Sequence, residues 1–99
     1  MKIEYDDEEL RRLAEDAEFP LRRWGRDEVV AYRKKIQILD GAEDERDLRA
    51  MRSLNLEKLK GDRKGQYSIR LNDQFRLILT FRTETSGRVV VVIELVNYH

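Results

Sequence analysis

Residues 65–82 read GQYSIRLNDQFRLILTFR, and the alternation in this stretch decides the fold. Apolar and polar residues alternate with period two on both sides of Asn72-Asp73-Gln74, the pattern of two antiparallel strands joined by a short turn. A three-residue turn places Leu71 opposite Phe75, Ile69 opposite Leu77 and Tyr67 opposite Leu79, which gives one unbroken apolar face. A two-residue turn would set Arg70 against Phe75 and scramble both faces. The preferred register also sets Arg70 directly opposite Arg76. Like charges opposed across a ladder destabilise by a few tenths to about 1 kcal/mol, so an anionic group is expected between or beside them.

Working outward, the second half of the chain reads as sheet. Strands are predicted over Leu54–Lys60, Gly65–Leu71, Phe75–Arg82 and Arg88–Tyr98, with turns at Gly61-Asp62, Asn72-Asp73 and Thr83–Gly87. On the last strand both alternating sets, Val89, Val91, Ile93 and Val90, Val92, Val96, are apolar, as in a strand covered on two faces. Continued through a Thr83–Gly87 turn, the register sets Phe81 opposite Val89, Arg82 opposite Arg88 and Arg76 opposite Glu94, which makes Glu94 an ordinary cross-strand ion partner for Arg76. Tyr98 then projects from the face of Arg70 and Arg76, and His99 follows it.

Upstream of residue 53 the apolar period is that of helices. Lys2–Tyr5 alternates weakly and is expected to be a short edge strand. From Asp6 the pattern becomes helical, with Leu10, Leu13, Ala14 and Ala17 on one face, Asp6 or Asp7 as the cap, and Phe19-Pro20 as the stop. A second helix is predicted from near Asp27 to Gly41, presenting Val29, Tyr32, Ile36 and Leu39. A short third segment, Glu43–Ser53, offers Leu48 and Met51. Phe75 and Phe81 fall on the apolar parity, and Trp24 and Tyr32 read as packing groups. No repeat, linker or low-complexity tract interrupts residues 1–99, so one domain is expected. The predicted class is α+β, with two to three N-terminal helices packed on a twisted, mainly antiparallel sheet of four to five strands.

Composition narrows the function. Charged residues make up 40% of the 99-residue chain, against roughly 25% in average proteins, and a domain this small leaves little room for a large enclosed active site. With no Cys, a disulfide framework and a thiolate metal site are excluded. The acidic start MKIEYDDEEL is unlike a signal peptide, and no apolar run approaches the roughly 20 residues of a membrane span; a cytoplasmic protein with no membrane partner is expected. Residues 1–50 hold 11 Lys/Arg against 15 Asp/Glu, whereas residues 51–99 hold 9 against 5. The basic half is the place for an anionic partner, although a well-solvated surface explains the same numbers. Formal neutrality speaks against promiscuous RNA binding. Arg22, Arg23, Lys34 and Lys35 are open to two readings, a second basic patch against RNA or solvated helix surface.

Arg70, Arg76, the group Lys58, Lys60, Arg63 and Lys64, a Tyr and a His on one side of a sheet hold the inventory for phosphodiester chemistry. Arginine forks bind phosphate, Tyr stacks on a base or donates a hydrogen bond, and His transfers protons near neutrality. RNA scission by attack of the 2′-hydroxyl needs a proton acceptor, a proton donor and cations around the phosphorane. These residues supply all three with no metal or other cofactor. Surface salt bridging, or phosphate binding without turnover, would account for the same set.

The stretch LEKLKGDRKGQYSIRLNDQFR, residues 56–76, followed by a strand ending VNYH at residues 96–99, closely resembles the HigB-type toxins of the RelE/ParE superfamily. The helical half is similar in length, layout and phrases such as ILDGAEDERDLRAM. The resemblance implies the toxin of a type II toxin–antitoxin system, a ribosome-dependent endoribonuclease that cuts mRNA in the A site. It also implies a helix-turn-helix antitoxin of the HigA type that neutralises the toxin and carries it to operator DNA. Position by position, the family's functional lysine falls on Lys60, its arginine on Arg76, and its terminal pair on Tyr98 and His99. Arg70, Lys58, Arg63 and Lys64 would add phosphate contacts. Two positions depart from the pattern: Glu57 stands where many relatives have His, and Asn97 where many have Asp. The first exchanges an imidazole for a possible base, and the second removes a carboxylate beside the proton-transfer His. Two other readings stay open, a non-catalytic gyrase inhibitor like the ParE branch and an inactive relative that only binds its antitoxin.

Overall fold

The computed structural model describes residues 1–20 and 22–97, and in it the change of period near residue 53 becomes a change from helix to sheet. The elements are β1 (Lys2–Tyr5), α1 (Glu8–Glu15), α2 (Arg26–Gly41), α3 (Glu45–Ala50), β2 (Glu57–Lys58), β3 (Tyr67–Arg70), β4 (Phe75–Glu84) and β5 (Gly87–Asn97). Single 3₁₀ turns over Arg52–Leu54 and Gly61–Arg63 flank β2. The sheet has five strands in the order β1-β5-β4-β3-β2, antiparallel except for the edge pair β1–β5. The expected α+β class and the short N-terminal edge strand are therefore both present.

Asp7 caps α1, its carboxylate accepting from the amides of Glu9 at 2.8 Å and Leu10 at 3.3 Å, with Glu8 and Glu9 favourably placed in the first turn. The helix ends at Glu15, short of the expected stop at Phe19-Pro20. Asp16 leaves the helical region and its carboxylate accepts from the Glu18 amide at 3.0 Å, a local turn that competes with the helix. Arg33 of α2 takes the freed carbonyls, donating from Nε to Leu13 O at 2.9 Å and from Nη2 to Asp16 O at 3.4 Å. Ala17 is consequently exposed outside the helix.

Tyr32 is wholly buried and its hydroxyl donates to Leu10 O at 2.7 Å, so α2 locks onto α1 through a satisfied polar group inside the core; burial pushes the phenol well above its usual pKa. Asp44 caps α3, accepting from the Arg46 amide at 2.9 Å. Met51 is 41% exposed, while Leu48 and Leu54 are fully buried. Because α3 stops at Ala50 and a 3₁₀ turn follows, Leu54 takes the core position that helical spacing would give Met51. The long strand expected over 54–60 shrinks to Glu57–Lys58, since Asn55 adopts a left-handed backbone with φ 47° that no strand accommodates.

The β3–β4 register is the expected one: Tyr67 pairs with Leu79, Ile69 with Leu77 and Arg70 with Arg76, and the Leu71 amide donates to Phe75 O at 2.9 Å. The β4–β5 register is not. Glu84 pairs with Gly87, whose φ is +131°, so the connection is two residues, not five, and the ladder begins one residue out of phase: Phe81 faces Val90 and Arg82 faces Val89. A bulge between Ile78 and Leu79 adds a second residue of offset, after which Ile78 faces Glu94 and Arg76 faces Val96. The expected Arg76–Glu94 pairing is thereby overturned. Ile69, Leu77, Leu79, Val90, Val92 and Leu95 form the helix-covered side of the sheet with Leu10, Leu13 and Leu39. Phe75, Phe81 and Trp24 lie at the margin of that core, partly buried. Each fully buried Leu or Val contributes roughly 1.5–3 kcal/mol, so this layer fixes the sheet that carries the site.

Candidate functional site

The opposite face of the sheet carries Ser68 and Arg70 on β3 and Arg76 and Ile78 on β4. Arg76 is only 5% exposed. Its Nε donates to Ser68 Oγ at 2.8 Å and its Nη2 to Asn55 O at 2.6 Å, with a longer contact to Ser68 O at 3.4 Å. A buried guanidinium needs acceptors in fixed places, and two residues that sequence reasoning does not select provide them. Ser68 is itself fully buried at a parity shared with the two arginines. Asn55 turns its carbonyl toward Arg76 through its left-handed backbone, a conformation that Asn tolerates better than most residues. The Asn55 side-chain Nδ2 donates to Glu57 Oε1 at 3.1 Å, so one residue touches both Arg76 and the Glu57 position. The sequence signals for both are slight: a small hydroxyl residue on the strand face shared with the two arginines, and an Asn directly after the apolar Leu54.

Arg70 faces Arg76 across the ladder, and the anionic group that such an opposition calls for is Asp73, in the intervening turn. Arg70 Nη2 pairs with Asp73 Oδ1 and its Nε donates to Asn72 O at 3.3 Å. The turn is fixed by Asn72 Oδ1, which accepts from the amides of Gln74 at 2.9 Å and Phe75 at 2.8 Å. Both members of the Arg70–Asp73 pair are largely exposed, so it holds Arg70 only weakly.

The lysine cluster occupies the connection from β2 to β3. Leu59 N donates to Gln66 O at 2.9 Å, closing a loop whose turns use Gly61 at φ 65° and Gly65 at φ 89°, conformations open to glycine at little steric penalty. Lys58, Lys60 and Lys64 are exposed and rim an open groove of about 340 Å³ with Leu59 and Gly61. Arg63 does not join them: its guanidinium donates to Gln66 Oε1 at 3.0 Å and pairs with Glu94. Thr80 Oγ1 adds a hydrogen bond to Gly65 O at 3.1 Å. The loop is thus strapped to β4 and β5, and Glu94, expected to neutralise Arg76, anchors the strap.

Asn97 is exposed and pairs with Phe75 in the ladder. Tyr98 and His99 lie outside the described residues. The structure therefore brings Arg70, Arg76 and, through Asn55, Glu57 to one neighbourhood, sets Lys58, Lys60 and Lys64 around a separate groove, and pairs Arg63 with Glu94 and Gln66. Among the described residues no helix is long and apolar enough to cross a membrane.

Comparison with known proteins bears on what this face serves. Residues 3–99 match the HigB-like toxin family, described as the RelE-like toxin of the type II toxin–antitoxin system HigB. Toxin HigB-1 of Vibrio cholerae serotype O1 (strain ATCC 39315 / El Tor Inaba N16961) is 49% identical over 45 residues, an alignment that covers 46% of this chain and 47% of that protein, so the match spans about half the length of that relative. Two solved structures share the fold at low identity. The YoeB/ParE toxin from Agrobacterium tumefaciens superposes with a TM-score of 0.55 at 21% identity over the whole of both chains. The YoeB-YefM complex from Staphylococcus aureus gives 0.55 at 19% identity, over all of this chain and 97% of that one. A match over 97 of the 99 positions decides the family: the chain belongs to the HigB-like, RelE-like toxins of type II toxin–antitoxin systems.

Proposed function

We propose that this toxin is a ribosome-dependent endoribonuclease that cuts mRNA in the A site by attack of a 2′-hydroxyl. The observation that carries the reading is Arg76, a guanidinium held in a buried setting by Ser68 and Asn55 with Arg70 opposed to it. A cation fixed in a low-dielectric environment interacts with a phosphate more strongly than a solvated one and needs no reorganisation as charge develops. Lys60, with Lys58 and Lys64 around it, supplies further positive charge for the RNA backbone. In the reaction the 2′-oxygen attacks phosphorus as its proton passes to a base, and the bond from phosphorus to the 5′-oxygen breaks as that oxygen takes a proton from an acid. The products are a 2′,3′-cyclic phosphate and a 5′-hydroxyl, and no metal or cofactor enters the balance. Tyr98 and His99 are assigned the proton transfers, each worth roughly 10²- to 10⁴-fold. Glu57, held by Asn55, and Asn97 are modulators of that chemistry.

The partners proposed are the 70S ribosome with its mRNA and a helix-turn-helix antitoxin of the HigA type, through which alone operator DNA is reached; the compartment is the cytoplasm. The S. aureus neighbour is a toxin seen in complex with a second protein, which agrees with an antitoxin partner. The test is mRNA cleavage mapped by primer extension in a purified translation system, with and without ribosomes, using the full chain and one lacking Tyr98 and His99. Cleavage within codons that needs both ribosomes and the last two residues supports the proposal. Absence of cleavage under every condition replaces it with a ParE-like inhibitor or an inactive antitoxin-binding relative.

A further inference from the structure

Among the described residues most arginines lie in ion pairs, whereas Arg49 and Arg52, side by side in the fold, lie in none. Both are exposed, and their side chains make no hydrogen bond or ion pair among the described residues. The carboxylates nearest in sequence are already committed. Asp44 holds Arg46, Glu45 holds Arg88, Asp47 accepts from the Glu43 amide at 2.8 Å and Glu57 accepts from Asn55. Between the two arginines the chain exposes Met51, one of its most exposed large apolar side chains. Arg49, Met51, Arg52, Asn55 and Leu56 line one open groove of about 290 Å³. Asn55 belongs to two places at once, since it lines this groove and its carbonyl accepts from Arg76 Nη2 at 2.6 Å.

We infer that this groove is a second RNA subsite, which holds the single-stranded stretch of message flanking the bond that is cut. The inference rests on the ribonuclease reading above. Unneutralised guanidinium groups with a polarizable thioether between them match one nucleotide unit: the arginines fork onto phosphate, and Met51 with Leu56 offers an apolar floor for a base. The continuity through Asn55 puts such a nucleotide next to Arg76. An acidic segment of a protein partner would also meet the two arginines, but it would not account for the position of the groove against the Arg76 anchor.

The test uses a fluorescein-labelled RNA hexanucleotide, 2′-O-methylated throughout so that it cannot be cut, titrated by anisotropy at several salt concentrations. Arg49→Ala/Arg52→Ala is compared with Arg12→Ala/Arg26→Ala, which removes equal charge from exposed arginines elsewhere. The groove variant is expected to bind about tenfold more weakly, with a slope of log K on log salt smaller by about 1.4, as for two lost single-strand phosphate contacts; the control is expected to match the unaltered protein. On programmed ribosomes the groove variant raises KM several-fold at unchanged kcat. Because neither Arg49 nor Arg52 has a side-chain partner among the described residues, the groove variant is expected to keep the thermal midpoint of the parent, and Arg52→Glu, which exaggerates the effect, is a second check on folding. Equal losses in both double variants, or none in either, overturn the subsite. Unaltered hexanucleotide binding with a loss of antitoxin or of empty ribosomes overturns it in favour of a protein or ribosomal RNA contact. If the parent protein cuts nothing on ribosomes, the ribonuclease reading falls and the subsite with it, whereas normal parental cleavage with an indifferent groove variant removes the subsite alone.

Discussion

The two ends of the sheet treat positive charge differently. At the β1 edge, Arg82 pairs with both Glu4 and Glu84 at 2.6 Å, Lys2 approaches the same two carboxylates, and Arg88 forks onto Glu45 of α3 at 2.5 and 3.0 Å. At the β2 end, Lys58, Lys60, Lys64, Arg49 and Arg52 are exposed and have no carboxylate partner among the described residues. A surface that neutralises its cations at one end and, beside the paired Arg63 and Arg70, leaves five of them bare at the other has cations of two kinds: those that fasten elements together and those whose anion comes from outside. Arg76 stands between the two groups, buried like a structural residue and donating to the oxygens of Ser68 and Asn55 beside the exposed lysines.

That intermediate position makes Arg76 the sharpest place to break the contrast. Arg76→Ala is expected to lower single-turnover cleavage on programmed ribosomes by about 10²- to 10³-fold. It also lowers stability in urea by about 2 kcal/mol, because Asn55 O and Ser68 Oγ lose their donor. If stability falls and cleavage does not, Arg76 belongs with the fastening arginines, and the bare cations at the β2 end serve another partner.

Asn55 separates the backbone part of this arrangement from the side-chain part. Asn55→Gly keeps a left-handed carbonyl aimed at Arg76 and removes only the amide to Glu57, so cleavage is expected to stay within about threefold. Asn55→Ala strains the same backbone by about 1 kcal/mol, and as the carbonyl moves, kcat is expected to fall about tenfold. Equal activity of the two variants, measured by primer extension, would show that Arg76 does not depend on that carbonyl.

Glu94→Gln probes the strap. Its ion pair with Arg63 is mostly solvated, so stability should move by no more than about 0.5 kcal/mol. The loop carrying Lys60 nevertheless loses its tie to β5, and KM is expected to rise about threefold with kcat retained. A fall in kcat instead would place Glu94 closer to the reacting phosphate than its pairing with Arg63 implies.

How much of this is legible in the sequence follows from the physics of the two hairpins. Around Asn72 the alternation is unbroken, any slip would put Arg70 into the apolar face, and the register can be read directly. Around Ser86 both faces of β5 are apolar, so a slip moves valine onto valine and leaves no trace in the pattern. The bulge at Ile78 compounds that silence, and the assignment of Glu94 to Arg76 fails because of it. The α1 stop is misplaced for a related reason: Ala17 and Phe19 continue the apolar period, while the turn at Asp16 and the reach of Arg33 from α2 are tertiary events. Asn55 and Ser68 leave only weak signals in the sequence, because their task is to accept from a buried arginine, and burial of an arginine is not a property a sequence displays.

The smallest expected effect on cleavage, none, tests the fastening end. Glu45 is held by Arg88, which lowers its carboxyl pKa below the ordinary range, against an opposing push from burial. A carboxylate with a depressed folded-state pKa contributes stability that is fully present above its unfolded value of about 4.3 and is lost as pH falls through the folded value. Glu45→Gln is therefore expected to be less stable than the parent by about 1 kcal/mol in urea at pH 7, and the difference should shrink as pH drops below about 4, where the parent also protonates. Both groups are under one-third exposed, at 19% and 29%, so moderate salt should remove only part of it. Cleavage at neutral pH should not change, because the pair joins α3 to β5 and neither residue lines the lysine groove. A difference that persists unchanged at low pH would mean that the glutamine variant loses packing rather than charge, and the β1 end would then owe its stability to shape more than to its neutralised cations.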